Sequence, residues 1–271
     1  MRLADLNLAA MIRHRMQTTP NSLLREQDGA LLFTIERPAA NGHLNGALRI
    51  NAEADAGQVL DQARSFFQLT QPDFMIWVRD EQDADLEQAL RDAGFTAIRE
   101  PGSPCMVLQR RLGPALPSAG TELCRVADAR DVADYAQVMV AAFGMTEDVA
   151  QAVFGETASL VAPHVAAFIA RQQNVPVAAA MTLITGEVAG IYFVGTVPEA
   201  RGQGLGKLRH SCGDQRGLRS RRSCRDFASI SRRRTALPAH GLSGAHALPM
   251  VSLDSPLEIR DHDKVDRISK S

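Results

Sequence analysis

The chain has 271 residues, room for one large domain or two small ones, with 45% hydrophobic residues and a formal net charge of −1. That balance does not point to nucleic acid or an anionic membrane as partner, and no apolar run approaches the roughly 20 residues needed to span a bilayer. The four cysteines, Cys105, Cys124, Cys212 and Cys224, follow neither a metal-ligand spacing nor a secreted disulfide framework, so a reduced cytoplasmic protein without a metal site is expected.

The opening stretch MRLADLNLAAMIRHRMQ carries an acid among its basic residues. It makes a poor signal peptide and reads as an amphipathic helix. Strands are expected at Ala30 to Glu36 (ALLFTIE) and Gly46 to Ile50 (GALRI), then a helix at Ala56 to Leu69. FMIWV (Phe74 to Val78) is a short buried strand that places Trp77 in a core. ADLEQALRDAGF is a helix with Gly94 at its left-handed cap, and CMVLQ is a last strand. The Pro/Gly/Ser-rich stretch Arg110 to Gly120 ends this first region, residues 1–112, with the linker at 113–120.

The pattern then restarts, in a second region of 121–207. ELCRV is a strand; Asp128 to Gly144 is a helix with acids in its first turn and a glycine at its end; Thr146 to Val161 is a second helix. Three strands follow, Val165 to Arg171, Pro176 to Thr185 and Val188 to Val194, the first two joined by a hairpin. His164 reads as a loop residue. Residues 208–271 differ in kind: RGLRSRRSCRDFASISRRR has no apolar period, and its composition predicts poor order.

The last strand runs into VPEARGQGLG, Val197 to Gly206. Glycines at such spacing let successive backbone N–H groups turn inward onto phosphate oxygens, where a Cβ would block the approach. A following helix would add the positive end of its dipole. The alternative is a plain tight turn, but the loop's place after a strand meander favours phosphate. A dinucleotide fingerprint would instead follow the first strand of a βαβ unit. A Walker loop requires Ser or Thr where Leu208 stands.

The order β-α-α-β-β-β followed by V-P-E-x-R-G-x-G-x-G resembles the GNAT superfamily of acetyl-CoA-dependent acyltransferases, over about Leu123 to Lys207. The resemblance implies an α/β (α+β) fold, with a mixed, mostly antiparallel sheet flanked by helices and incomplete in the second domain. It implies acetyl-CoA as co-substrate. Its pantetheine arm would pair with Gly195, Thr196 and Val197, and its pyrophosphate would sit on Arg201, Gly202, Gln203, Gly204, Leu205 and Gly206. A small-molecule or peptide amine would attack the thioester, with a strand amide stabilising the oxyanion. Glu187 and Tyr192 are the base or relay candidates, against plainer roles as a solvated strand-end acid and a core residue. The N-terminal half follows the order of the back half of the same fold without R-x-x-G-x-G, a degenerate copy not expected to bind the cofactor.

After Lys207 the family's remaining helices and strands, including a thiolate-protonating tyrosine, do not follow in frame. Read one base later, each new codon has known first and third bases and a free middle base. Leu237 to Ser252 is then compatible with YRRMGYREHTRYPWFL, its tryptophan forced by the ATG of Met250 followed by the G of Val251. Leu208 to Arg219 is compatible with the alanine-rich YVTAAVTNAAF. A frameshift near codons 207–208 is the expectation, and the chain as written is expected to be unstable or inactive. Two other classes compete: a non-catalytic acyl-CoA binder, and a nucleic-acid binder using the basic stretch Arg216 to Arg234, which lacks interleaved aromatics.

Overall fold

The computed structural model describes residues 3–35, 44–68, 74–79, 82–97, 104–107, 119–205, 225–229 and 248–249. The chain divides into two compact units, one of Met1, Asn21–Cys105 and His246–Ser271, the other of Arg2–Pro20 and Met106–Ala245. Sequence reading placed the N-terminal helix with residues 1–112; its contacts group it instead with the second unit.

In the first unit, β1 (Ser22–Gln27) and β2 (Ala30–Ile35) form an antiparallel hairpin. Its two-residue turn, Asp28 and Gly29 at φ of 47° and 85°, has the left-handed backbone that matches strand twist. β2 pairs antiparallel with β3 (Gly46–Arg49), and β3 pairs parallel with β4 (Met75–Trp77) across helix α2 (Ala56–Gln68). The apolar stripe of α2, Val59, Leu60, Ala63, Phe66 and Phe67, packs with Ile76, Val78, Leu86, Leu90 and Phe95 into one core. Helix α3 (Ala84–Asp92) is followed by Gly94 at φ 83°, the expected left-handed position. Trp77 is buried edge-on to Phe33, as its strand position predicts.

β1 was not expected, because SLLREQ is an exposed, charged edge with little apolar signal. β5 (Pro104–Val107) pairs antiparallel with the short β11 (Leu248–Pro249). At the position of a phosphate loop, between β3 and α2, this unit has Asn51 to Asp55. Arg49 donates to the carbonyls of Asn51 and Ala52 at 3.2 and 2.7 Å, and the Asp55 carboxylate accepts from Gln58 N at 2.9 Å. The helix N-terminus already carries its own anion.

In the second unit, β6 (Thr121–Arg125), β7 (Val165–Gln172), β8 (Val175–Thr185) and β9 (Val188–Thr196) form an antiparallel meander. Gln173 and Asn174, at φ of 50° and 65°, make the expected tight hairpin between β7 and β8. Helix α4 (Ala129–Phe143) starts on Asp128, whose carboxylate accepts from Asp131 N at 2.9 Å, and ends on left-handed Gly144 at φ 68°. Where one helix was expected over Thr146 to Val161, two form, α5 (Glu147–Phe154) and α6 (Thr157–Val161), separated at Gly155. Arg171 on β7 pins α4 to the sheet through Asp131 at 2.8 Å and Asp134 at 2.6 Å.

Helix α1 (Leu3–Thr18) forms as predicted but is not amphipathic in use. Asp5, Asn7, His14 and Arg15 are buried together with Leu8, Met11, Ile12 and Met16, because the helix packs on β8, β9 and α6. Strand β10 (Arg225–Ser229) lies in the region whose composition predicts little order, and pairs parallel with β9 at Val188 and Ala189. Both units have the expected mixed, mostly antiparallel sheet flanked by helices. Residues 108–118, most of the linker, and Cys212 and Cys224 lie outside the described residues.

Candidate active site

β9 is irregular at its centre. Its register with β8 runs from Met181↔Tyr192 to Ala179↔Gly195, so Phe193 and Val194 stand opposite the single residue Ala180. This is a β-bulge, and Phe193 sits in it at φ 51°, a conformation uncommon for a bulky residue. The Tyr135 hydroxyl donates to Phe193 O at 3.3 Å, and Phe154 meets the Phe193 ring edge-on at 5.1 Å. The Arg15 guanidinium lies 3.8 Å from that ring's centroid and 5.3 Å from that of Phe154. Burial pushes the Arg15 pKa down to about 9. Among the described residues no carboxylate pairs with it, and its Nη1 has no hydrogen-bond partner.

On the other edge of β9, pairing with β10 covers only Val188 and Ala189. Beyond them, no strand among the described residues pairs with that edge. The strand continues through a single 3₁₀ turn, Pro198–Ala200, into Arg201–Leu205. Ala200 and Leu205 are buried against Ala170, Val177 and Ala178 and hold the loop at both ends. Between them, Gly202 and Gly204 are left-handed at φ of 83° and 78°, and a Cβ on either would meet no described residue within 4 Å. No described residue fills the side on which a Cβ would stand, the room that a phosphate cradle needs.

The other expected contacts have duties within the fold. Arg201 donates from Nε to Thr196 O at 3.1 Å and from Nη2 to Ala142 O at 3.0 Å, tying the loop to β9 and the end of α4. Gln203 Oε1 accepts from Gln172 Nε2 at 2.9 Å. Val197 N donates to Val177 O at 2.9 Å and Val197 O accepts from Ala200 N at 3.1 Å, so both its backbone groups have protein partners. Gly195 is glycine for packing: a Cβ would lie 2.9 Å from Ala142 Cβ and 3.0 Å from Met139 Cε. Gly206 lies outside the described residues.

The two acid–base candidates lie at different places on the strand. Tyr192, beside the bulge, donates to Asn7 Oδ1 at 2.6 Å. Asn7 Nδ2 donates in turn to Leu183 O at 3.1 Å and Thr185 Oγ1 at 3.0 Å, which fixes its amide with the oxygen toward the phenol. This arrangement favours a protonated, donating phenol over a phenolate base. Glu187 is exposed in the turn between β8 and β9, at the far end of the strand from the loop. The nine residues of β9 put it roughly 30 Å away along the chain.

Asn7, Arg15 and Tyr135 were not read from the sequence as site residues. Their partners are far away in the chain, 185 residues for Asn7 to Tyr192, and such contacts leave no local pattern. His14 shares their helix. Its Nε2 is 2.9 Å from Ser159 O and therefore donates, leaving Nδ1 to accept from His164 Nε2 at 3.1 Å. Burial, the largest cause, pushes the His14 pKa below the usual imidazole range; His164 and Arg15 add to this, against the raising effect of the Ser159 carbonyl. His164, expected to be a loop residue, is indeed exposed before β7 and is the outer half of this pair.

Among solved structures the chain is similar to a GCN5-related N-acetyltransferase from Kribbella flavida, with a TM-score of 0.66 and 17% identity over 97% of this chain and 96% of that one. It is also similar to a GCN5-related N-acetyltransferase from Sphaerobacter thermophilus, with a TM-score of 0.53 and 14% identity over 79% and 76% of the two chains. No protein-family model matches the sequence, and no curated protein does. At these identities the likeness concerns architecture, and it extends through both units rather than the glycine-loop unit alone. The chain has the fold of the GCN5-related N-acetyltransferases.

Proposed function

We propose that the second unit transfers an acetyl group from acetyl-CoA to a primary amine. The observation that carries this reading is the course of β9: bulged at Phe193, paired on its outer edge, among the described residues, only at Val188 and Ala189, and leading into left-handed Gly202 and Gly204. The unpaired stretch of that edge suits the amides of a pantetheine arm, and the loop amides suit its pyrophosphate. Gly195 and Thr196 remain the residues for the former, Arg201 to Gly206 for the latter. Val197 contributes by holding the turn.

In the reaction the amine nitrogen attacks the thioester carbonyl carbon, forming the N–C bond. The oxygen charge that develops is stabilised by strand amides at the bulge. The C–S bond then breaks, the leaving thiolate takes up a proton, and the amine gives one to a base or to water. Tyr192, held as a donor by Asn7, suits a positioning or relay role in this step. Glu187 suits a base only for an acceptor long enough to reach the β8–β9 turn. A reduced cytoplasmic setting fits the cysteines; among the described residues, no helix is long and apolar enough to cross a membrane.

The test is titration calorimetry of the full chain with acetyl-CoA, alongside thiol release with lysine, spermidine and a short peptide as acceptors. Binding with turnover is expected of an enzyme. Binding without turnover would favour a non-catalytic acyl-CoA binder, and absence of binding both in this chain and in one translated in the restored frame would overturn the proposal.

A further inference from the structure

We propose that Arg15, supplied by the N-terminal helix α1, is a positioning residue for the acyl group: its guanidinium holds the Phe193 bulge in shape and so sets the aim of the β9 amides. The inference rests on the acyl-transfer reading above. A bulky residue at φ 51° persists only where its surroundings over-determine it. Three groups from three helices do this at Phe193: the Tyr135 hydroxyl on its carbonyl, the Phe154 ring against its edge, and the Arg15 cation over its face at 3.8 Å.

The choice of arginine requires explanation. A buried cation with no carboxylate partner is costly, and a methionine or leucine would fill apolar space between two rings more cheaply. What arginine adds is a planar cation that locks onto a ring face and fixes that ring's orientation. The ring it fixes belongs to the one residue in β9 whose backbone leaves the ladder in the left-handed region. Tyr192, immediately before the bulge, is bonded to Asn7 of the same helix. Helix α1 thus controls β9 at two adjacent positions, both on the stretch expected to face the thioester.

The thioester oxygen exists in acetyl-CoA and not in CoA, so the affinity ratio of the two reads the aim of the bulge without an acceptor or turnover. Calorimetry on the full chain should show acetyl-CoA bound about fivefold more tightly than CoA, the effect of one well-placed hydrogen bond. In Arg15→Met the CoA affinity should stay within about twofold while the preference for acetyl-CoA disappears. An unchanged ratio in Arg15→Met overturns the proposal. So does a parallel fall in both affinities, which would mark a merely structural residue. If Arg15→Met does not fold by circular dichroism, Arg15→Gln, planar and uncharged, carries the same test with the same outcomes. Failure of the wild-type chain, and of the same chain in the restored frame, to bind either compound would instead sink the acyl-transfer reading itself, and this inference with it.

Discussion

Arg201 and Ala142, 59 residues apart, are joined by a 3.0 Å hydrogen bond from the guanidinium to the carbonyl. A second bond reaches Thr196 O, so the arginine expected to face a pyrophosphate is also the clamp between β9, α4 and the glycine loop. The two roles are separable. Arg201→Lys keeps a phosphate-attracting charge but cannot form the two-point fork. If the clamp is what matters, Arg201→Lys should weaken acetyl-CoA binding roughly tenfold, close to the effect of Arg201→Ala. Calorimetry showing full affinity in Arg201→Lys would assign the residue to the phosphate alone.

Gly195→Ala should destabilise the second unit, because the added methyl meets Ala142 Cβ at 2.9 Å and Phe143 Cε2 at 3.2 Å. Ala142 has no rotamer to yield, so α4 itself must shift, at a cost of roughly 1–3 kcal/mol. Urea denaturation followed by circular dichroism measures this. Gly202→Ala has no such steric partner; its cost, about 1 kcal/mol, comes from the left-handed backbone alone.

Acid should loosen α1. His14 has a folded pKa below its ordinary value, so the unfolded chain binds protons more readily than the folded one. The stability His14 contributes is therefore complete above the unfolded value of about 6.5 and is lost as pH falls from there toward the folded pKa. The groups facing it are His164, Arg15 and Ser159 O. Melting temperature should decline between about pH 7.5 and 5.5, and His14→Gln should flatten that slope. An identical slope in the variant would place the sensitivity elsewhere.

Tyr192→Phe removes the hydroxyl and leaves Asn7 Oδ1 without its 2.6 Å donor. A loss of about 1–2 kcal/mol in stability should follow. If the phenol also relays or positions in the reaction, turnover should fall by roughly 10²-fold with acetyl-CoA affinity unchanged. Stability loss with full turnover would restrict Tyr192 to packing.

Sequencing the source DNA across codons 200 to 255 tests the frameshift. An extra or missing base near codon 207 is the expected result, and a chain translated in the restored frame should bind acetyl-CoA at least as tightly as the chain described here. A clean reading would make residues 208–271 genuine.

Strands β7 to β9 of the meander were legible in the sequence because each is rich in small and β-branched residues and set off by a turn signal. The glycine loop was legible because left-handed backbone at Gly202 and Gly204 demands that residue type. β1 was hidden by its own exposure, and the break between α5 and α6 by an apolar spacing that continues across Gly155. The bulge at Phe193 and the home of α1 had no local signature at all. The first arises from two residues standing opposite one, the second from polar side chains whose partners lie about 140 or more positions later.

Those distances also set an order of events during synthesis. Asn7 leaves the ribosome first, yet the strand carbonyl it binds, Leu183 O, is 176 residues behind. At about 5–20 residues per second, α1 waits on the order of ten to thirty seconds for its sheet. Through most of that interval Leu8, Met11 and Ile12 lack the strands β8 and β9 on which they pack. The first and last parts of the second unit can close only together, so this late docking, rather than any local element, is the step most open to chaperones, aggregation and mutation.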